Sequence, residues 1–583
     1  MGSELFRREE KGDWLLIGVK VVATLILMAA TGFGLMGRAE LLVGQQRYVT
    51  LAFFLGLWVV SYGALLIAAL HPNRWVRLFW GLVIALTTAA GWAYQTISGS
   101  SLSVFDVLSL WAARHEAGRA MQEYGAILPW ALVAFVATLT IIVIPAHLKR
   151  GWLRTALTWL FWAPAVPTAL IATIIFLRSG GGSQALPTQF QPLAVSAVGL
   201  ERALTHRMGS RMAVPFAPVR KPPVKHIVFL VEESLRPDYL DFRPGNPVTP
   251  HLPALRRVSA DFGPAVSGGN CSSYANAILR FTAQPHVMVK SARTYPTLWQ
   301  WAKKAGFSTI YMDGQSGFVQ DPGRFQNFMT MREARFIDQI IRFDDVPTTR
   351  LDFALLEKLV RLLKTSDRPL FIYANKNGAH FPFDADYPAN RRRFRPTITE
   401  AGKETAESKV NSYRNAVAWN VDEFFRQLLR KTDLKDTLII YTSDHGQNLD
   451  ADAMTHCSTH DPDPREGLVP LLIITGNAPL LRRVRQAAEV NYGAARHFHI
   501  APTLLTFMGY DPADLKRLYG PSLLERLPRK PFGAFSYGDI FGLFRDEVNW
   551  QTVDTSRYWL EPAARRHLLQ RTGENAPGGR RQN

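Results

Sequence analysis

The chain has 583 residues, 47% of them hydrophobic, with a formal charge of +19 and a pI of about 9.9. That length accommodates two or more domains, and its two cysteines exclude both a disulfide-rich scaffold and a multi-cysteine zinc cage. The positive charge suits anionic lipid surfaces rather than nucleic acid, because no basic stripe is interleaved with aromatics.

Five apolar stretches come first, at residues 14–36, 49–70, 78–94, 125–146 and 155–177. Most approach the about 20 apolar residues that cross a bilayer core; the third is the shortest. Lys20 sits near the start of the first, where its amine is expected to snorkel to the interface. That stretch has no clear cleavage site and more spans follow it, so it reads as an uncleaved anchor. Arg7, Arg8 and Lys11, then Arg74 and Arg77, then Lys149, Arg150 and Arg154 outweigh Arg38, Arg47, Arg114 and Arg119 on the other side. The bias places the N-terminus in the cytoplasm and everything after Arg178 outside it, in the periplasm of a Gram-negative cell.

The loop 101–124 reads as a helix with Val104, Val107, Leu108, Trp111 and Ala112 on one face. It suits the membrane interface, or is an ordinary helix between spans. Ser179-Gly180-Gly181-Gly182-Ser183 opens a flexible, Pro-containing linker. The expected organisation is a transmembrane domain at 1–178, a linker at 179–224, a soluble catalytic domain at 225–572 and a disordered tail at 573–583.

From residue 225 onward, β-rich runs at 227–231, 309–312, 370–374, 438–441 and 471–475 alternate with helical stretches at 295–305, 351–364 and 408–429. The alternation predicts an α/β domain with a largely parallel sheet. Sites in such sheets form outside the carboxyl ends of the strands. Glu232-Glu233-Ser234-Leu235-Arg236 follows the first run, Asn375 to Pro382 with His380 follows the third, and Ser443-Asp444-His445-Gly446 follows the fourth. His456 and His460 come soon after. Carboxylate, imidazole and hydroxyl together are a ligand set for zinc or manganese. Each residue alone has a plainer reading: Glu233 can pair with Arg236, and a lone histidine is more often a core or surface residue.

Gly268-Gly269-Asn270-Cys271-Ser272-Ser273 precedes a helical run. A hydroxyl or thiol there meets free backbone N–H groups, which bind phosphate and lower a nucleophile's pKa. An ordinary helix cap is the alternative. Cys271 and Cys457 are either unrelated thiols or, in an oxidising compartment, one bridge.

In this order the motifs resemble the bacterial phosphoethanolamine transferases of the alkaline phosphatase/sulfatase superfamily. The resemblance rests on the spans, Glu233-Ser234-x-Arg236, the Gly-rich loop, Lys303-Lys304-Ala305-Gly306-Phe307 leading to Asp313, and Gly378-Ala379-His380-Phe381-Pro382. Tyr387-Pro388, Phe394-Arg395-Pro396-Thr397 and Ser443-Asp444-His445-Gly446 add to it. It implies an alkaline-phosphatase-like soluble domain behind a five-span membrane domain.

The resemblance further implies that Glu233, Asp444 and His445 ligate one Zn²⁺ (or Mn²⁺), with the nucleophile's oxygen as fourth ligand. His380 and His456 would contact the donor phosphate or relay protons, with His460 competing for the second role; Asn270 and Arg236 would join in substrate binding. Alignment of Gly269-Asn270 and Pro285 favours Ser272 as nucleophile where the family usually has threonine. A gapless match to sulfatases places Cys271 there instead, but the proline and arginine of the sulfatase motif Cys-x-Pro-x-Arg are absent after it. The disulfide cysteines common in lipid A-modifying members are also missing. The implied reaction moves phosphoethanolamine from phosphatidylethanolamine to an envelope glycolipid or glycan. The alternatives are a phosphoglycerol transferase of the lipoteichoic acid synthase type, a sulfatase-like hydrolase, and a non-catalytic lipid-binding regulator.

Overall fold

The computed structural model describes residues 13–556 apart from 113–117, 119–120, 122–123, 147, 149–150, 206–209, 316–327, 344, 452, 459–460 and 529–532. The tail at 573–583, and Arg7, Arg8, Lys11, Arg114, Arg119, Lys149 and Arg150 of the topology argument, lie outside the described residues. The chain divides into two compact units, one of Met1–Trp111 and Ala117–Arg207, the other of Ala112–Glu116 and Met208–Asn583.

In the first unit, the four helices Trp14–Thr31, Tyr48–Leu70, Arg74–Ser98 and Gly125–Val143 are long and apolar enough to cross a membrane. The pair Trp152–Trp159 and Ala163–Leu177, bent by 55°, makes a fifth if it counts as one span. The third helix, expected to be the shortest, is the longest at 25 residues. Asn73 caps its start by accepting from the Trp75 N–H, and Gly99 ends it in the left-handed region at φ 66°. Arg74, Arg77 and Gln95 lie within it and shorten its apolar signature.

Lys20 does not snorkel. It is 3% exposed, and its ammonium donates to the carbonyls of Ala69 and Ile142, near the C-terminal ends of two other helices. Those carbonyls have no partner within their own helices and carry the negative end of the dipole, so a buried cation is held there.

Part of the expected flexible linker is structured. Gln191–Thr205 is a helix, and Thr188, Gln189 and Gln191 are buried. The Thr188 hydroxyl donates to Thr31 O (2.7 Å), and the Gln189 amide to Thr31 Oγ1 (2.6 Å). The glycine run signals flexibility, but the polar residues after it supply the hydrogen bonds that seat the chain among the helices. Val104–Ala112 is also a helix, with Val104 buried and Trp111 exposed.

The second unit is built on a seven-stranded sheet: β1 (His226–Glu232), β2 (Ser259–Val266), β3 (Ser308–Asp313), β4 (Gln339–Arg342), β5 (Leu370–Asn375), β6 (Thr437–Ser443) and β7 (Leu468–Thr475). The order is β2-β7-β6-β1-β5-β3-β4. The run β6-β1-β5-β3-β4 is parallel; β7 is antiparallel to both β6 and β2. Ile227, Phe229 and Val231 of β1 enter one apolar core, Val228 and Leu230 the other. Both faces are thus covered, which is why the central strands read as unbroken apolar runs. A separate ribbon pairs Gly533–Tyr537 with Asn549–Val553.

Candidate active site

The register of β1 against β6 sets Glu232 beside Ser443, so the next residues, Glu233 and Asp444, leave the sheet together. The Asp444 N–H donates to Glu232 O (2.9 Å) and extends the ladder by one step. Glu233, Asp444 and His445 each present a ligand atom within 4.8 Å of the others, and all three are buried. Two glycines permit this approach. A Cβ at Gly378 (φ +60°) would lie 2.7 Å from Glu233 O, and one at Gly446 would lie 2.2 Å from Arg465 O.

The ligand atoms are held from behind. Ser234 sits at φ 60°, rare for a residue with a side chain, while its Oγ donates to Glu233 Oε1 (2.6 Å) and its N–H to Asp444 Oδ1 (3.1 Å). Tyr413 Oη donates to Ser234 O (2.8 Å) and steadies that turn. Gln315 Nε2 donates to Glu233 Oε2 (2.5 Å). Asn276 Nδ2 donates to Asp444 Oδ2 (3.3 Å), and its own carbonyl oxygen accepts from Tyr373 Oη (2.6 Å). His445 Nδ1 donates to Gly446 O (2.7 Å), so the neutral ring turns the Nε2 lone pair to the cluster, the tautomer a metal needs.

Ser272 opens the helix Ser272–Arg280. Its Oγ donates to Glu233 Oε1 at 3.1 Å and lies 3.1 Å from His445 Nε2. The N-cap is Cys271, which makes no side-chain cap bond. Its sulfur is bonded to that of Cys457. The glycine loop before it is held by the ribbon: the Ser536 N–H donates to Gly268 O (2.9 Å).

His456 stacks on His445 with ring centroids 4.5 Å apart, and His380 lies 6.4 Å from His456. His380 Nδ1 donates to Phe381 O (2.5 Å), which leaves Nε2 as the acceptor nitrogen of the neutral ring. His460 lies outside the described residues.

Two expected substrate contacts are committed elsewhere. The Arg236 fork is buried against Asp238 (Nε to Oδ1 3.0 Å, Nη2 to Oδ2 2.6 Å). A desolvated guanidinium demands such a partner. The Asn270 amide donates to Ser458 O (2.9 Å) and Glu466 Oε2 (2.8 Å), bonding two loops together. Gln315 and Asn276 escaped the sequence reading because neutral amides carry no ligand signature. Asn276 was findable at the i+4 position from Ser272, and Gln315 two residues past β3.

Electrostatics favours a cation here. Burial, reinforced by the charge of Glu233, pushes the Asp444 carboxyl up to about 8. Burial opposes ionisation of Glu233 too, but its hydrogen bond to His445 prevails and holds it below the usual range. Two buried carboxylates brought together, with a neutral imidazole nitrogen and a serine oxygen alongside, match the donor set of a divalent metal.

Residues 225–510 match the sulfatase family model. No curated protein matches the chain. Among solved structures, it is similar to the integral membrane protein lipooligosaccharide phosphoethanolamine transferase A of Neisseria meningitidis, with a TM-score of 0.61 and 17% identity over 88% of this chain and 99% of that one. That match carries the fold, a helical membrane anchor followed by an alkaline-phosphatase-like domain. The zinc complex of the periplasmic domain of EptC from Escherichia coli scores 0.45 at 18% identity, covering 58% of this chain and 96% of that one. The corresponding phosphoethanolamine transferase domain from Campylobacter jejuni scores 0.41 at 18%, covering 53% and 97%.

Proposed function

We propose that this chain, whose residues 225–510 are a sulfatase-family domain, transfers phosphoethanolamine from phosphatidylethanolamine to an envelope glycolipid or glycan, with Ser272 as the covalent carrier. The observation that carries the reading is the Ser272 hydroxyl, 3.1 Å from both Glu233 and His445 at the start of a helix.

Glu233, Asp444 and His445 would hold a Zn²⁺ or Mn²⁺ ion. Such an ion supplies Lewis-acid charge that favours ionisation of a nearby hydroxyl and offsets phosphoryl charge. Ser272 loses its proton to solvent and its Oγ attacks phosphorus, the Oγ–P bond forms, and the P–O bond to diacylglycerol breaks. Protonated His380 or His456 supplies the proton to the leaving oxygen. Helix N–H groups near Ser272 face the phosphoryl oxygens. The acceptor's hydroxyl then gives its proton to the histidine left neutral by the first step and its oxygen attacks phosphorus, the Oγ–P bond breaks, and Ser272 takes back a proton from solvent.

The membrane anchor holds the chain beside its lipid donor. A disulfide belongs to an oxidising compartment, which supports a periplasmic catalytic domain, and the apolar helices of the first unit support an inner-membrane protein with five crossings. The bonded Cys271 sulfur also counts against sulfatase chemistry, which would require that cysteine free for oxidation.

The test is intact-mass analysis of the detergent-solubilised full chain after incubation with phosphatidylethanolamine. A phosphoethanolamine adduct on Ser272 is expected, absent in Ser272→Ala at unchanged metal content. An active Ser272→Ala enzyme with normal metal content sinks the assignment. A phosphoglycerol adduct from phosphatidylglycerol, distinguished by mass, would redirect the donor.

A further inference from the structure

We propose that the Cys271–Cys457 disulfide is a positioning device for catalysis, holding His456 in register with Ser272. The proposal rests on the roles given above to those two residues. Cys271 immediately precedes Ser272, and Cys457 immediately follows His456. The bond therefore joins the nucleophile's helix to the histidine's loop across 186 residues of sequence.

The other members of the site stand on firm supports. Glu233 and Asp444 extend strands, Ser272 opens a helix, and His380 follows the tight Gly378 turn against Glu233. His456 lies on a stretch, residues 453–458, that forms neither helix nor strand. Its neighbour Cys457 is held at φ 62°, a conformation that residues with side chains seldom adopt. Its backbone N–H donates to Asn270 O (2.8 Å), and the Asn270 amide returns a bond to Ser458 O (2.9 Å). The buried Glu466 fastens both strands of this clasp, accepting from Asn270 (2.8 Å) and from Ser458 Oγ (2.6 Å). The result sets the His456 ring on His445, 4.5 Å between centroids and 20° from parallel.

A loop-borne proton donor gains most from such a tether, because misplacing it by about 1 Å costs orders of magnitude in rate. The bond thus acts through His456, and Asn270 assists it from the backbone side.

The experiment compares full-length wild type, Cys271→Ser/Cys457→Ser, His456→Ala and the combined variant, with phosphatidylethanolamine in detergent. Removing the disulfide is expected to lower kcat about 100-fold, with KM, metal content and circular dichroism little changed. In the His456→Ala background the same change is expected to cost less than about 3-fold, since both act on one step. Equal activity without the disulfide, or fully additive losses, overturns the proposal. If the double variant does not fold, the folded wild type is reduced, with thiol labelling confirming both free sulfurs. Reversible loss of activity supports the proposal and an unchanged rate overturns it. Absence of any Ser272 adduct in the wild type would instead sink the underlying reading and this inference with it.

Discussion

Gln315 and Asn276 show how much of this site lies in residues that carry no charge. Each bonds one carboxylate oxygen in the cluster, Gln315 the Glu233 Oε2 and Asn276 the Asp444 Oδ2. Replacing either with leucine leaves that oxygen free to rotate. Gln315→Leu is expected to weaken zinc binding 10- to 100-fold, read by competition with a fluorescent chelator. A second residue-scale effect concerns His497 and His499, which burial pushes down to about 3. His497 Nδ1 accepts from the Gly268 N–H (3.0 Å), and His499 Nδ1 accepts from the Arg496 N–H (3.1 Å). A proton on either nitrogen would face a donor. A folded pKa below the unfolded value gives stability that is complete above about 6.5 and lost as the pH falls toward about 3. Each histidine should therefore cost about 2 kcal/mol between pH 7 and 5. Thermal unfolding of the full chain across that range should show the decline, and His497→Asn should flatten it.

Strand β1 serves two purposes at its carboxyl end, because consecutive side chains leave opposite faces. Glu233 enters the cluster, while Glu232 turns to the buried Lys376 ammonium (2.6 Å), which also lies 3.4 Å from Asp352. Burial raises the Glu232 carboxyl to about 7 even with that lysine beside it. Lys376→Met strands two carboxylates in the core and should cost about 3–5 kcal/mol, measured as a fall in the unfolding midpoint. Glu232→Gln in the same chain should restore part of it.

The parallel strands were legible because burial on both faces makes them continuous apolar runs, and their ends then pointed to Glu233, Asp444 and His445. Strand β2 was not, since it carries Asp261, Gly263 and Pro264 and its register shifts between Asp261 and Pro264. Nor was β4, a four-residue strand in which Ile341 alone is buried. The expected helix at 408–429 exists but passes through a π turn at Ala418–Glu423, which no local pattern announces. Arg236 and Asn270 bond other protein groups for one shared reason: polar residues packed near a site satisfy each other first.

At the scale of the molecule, the membrane unit depends on buried polar contacts as much as on apolar length. Lys20→Met should leave the carbonyls of Ala69 and Ile142 without their donor. A cost of about 1–3 kcal/mol is expected, seen as lower thermal stability in detergent with the catalytic unit's metal affinity unchanged. In the other unit, the single bond between Cys271 and Cys457 closes a covalent ring that contains β3, β4, β5 and β6. A protease that cuts anywhere between those cysteines opens the ring without releasing a fragment. The nicked protein should keep its full mass on a non-reducing gel and fall into two pieces only when thiol is added.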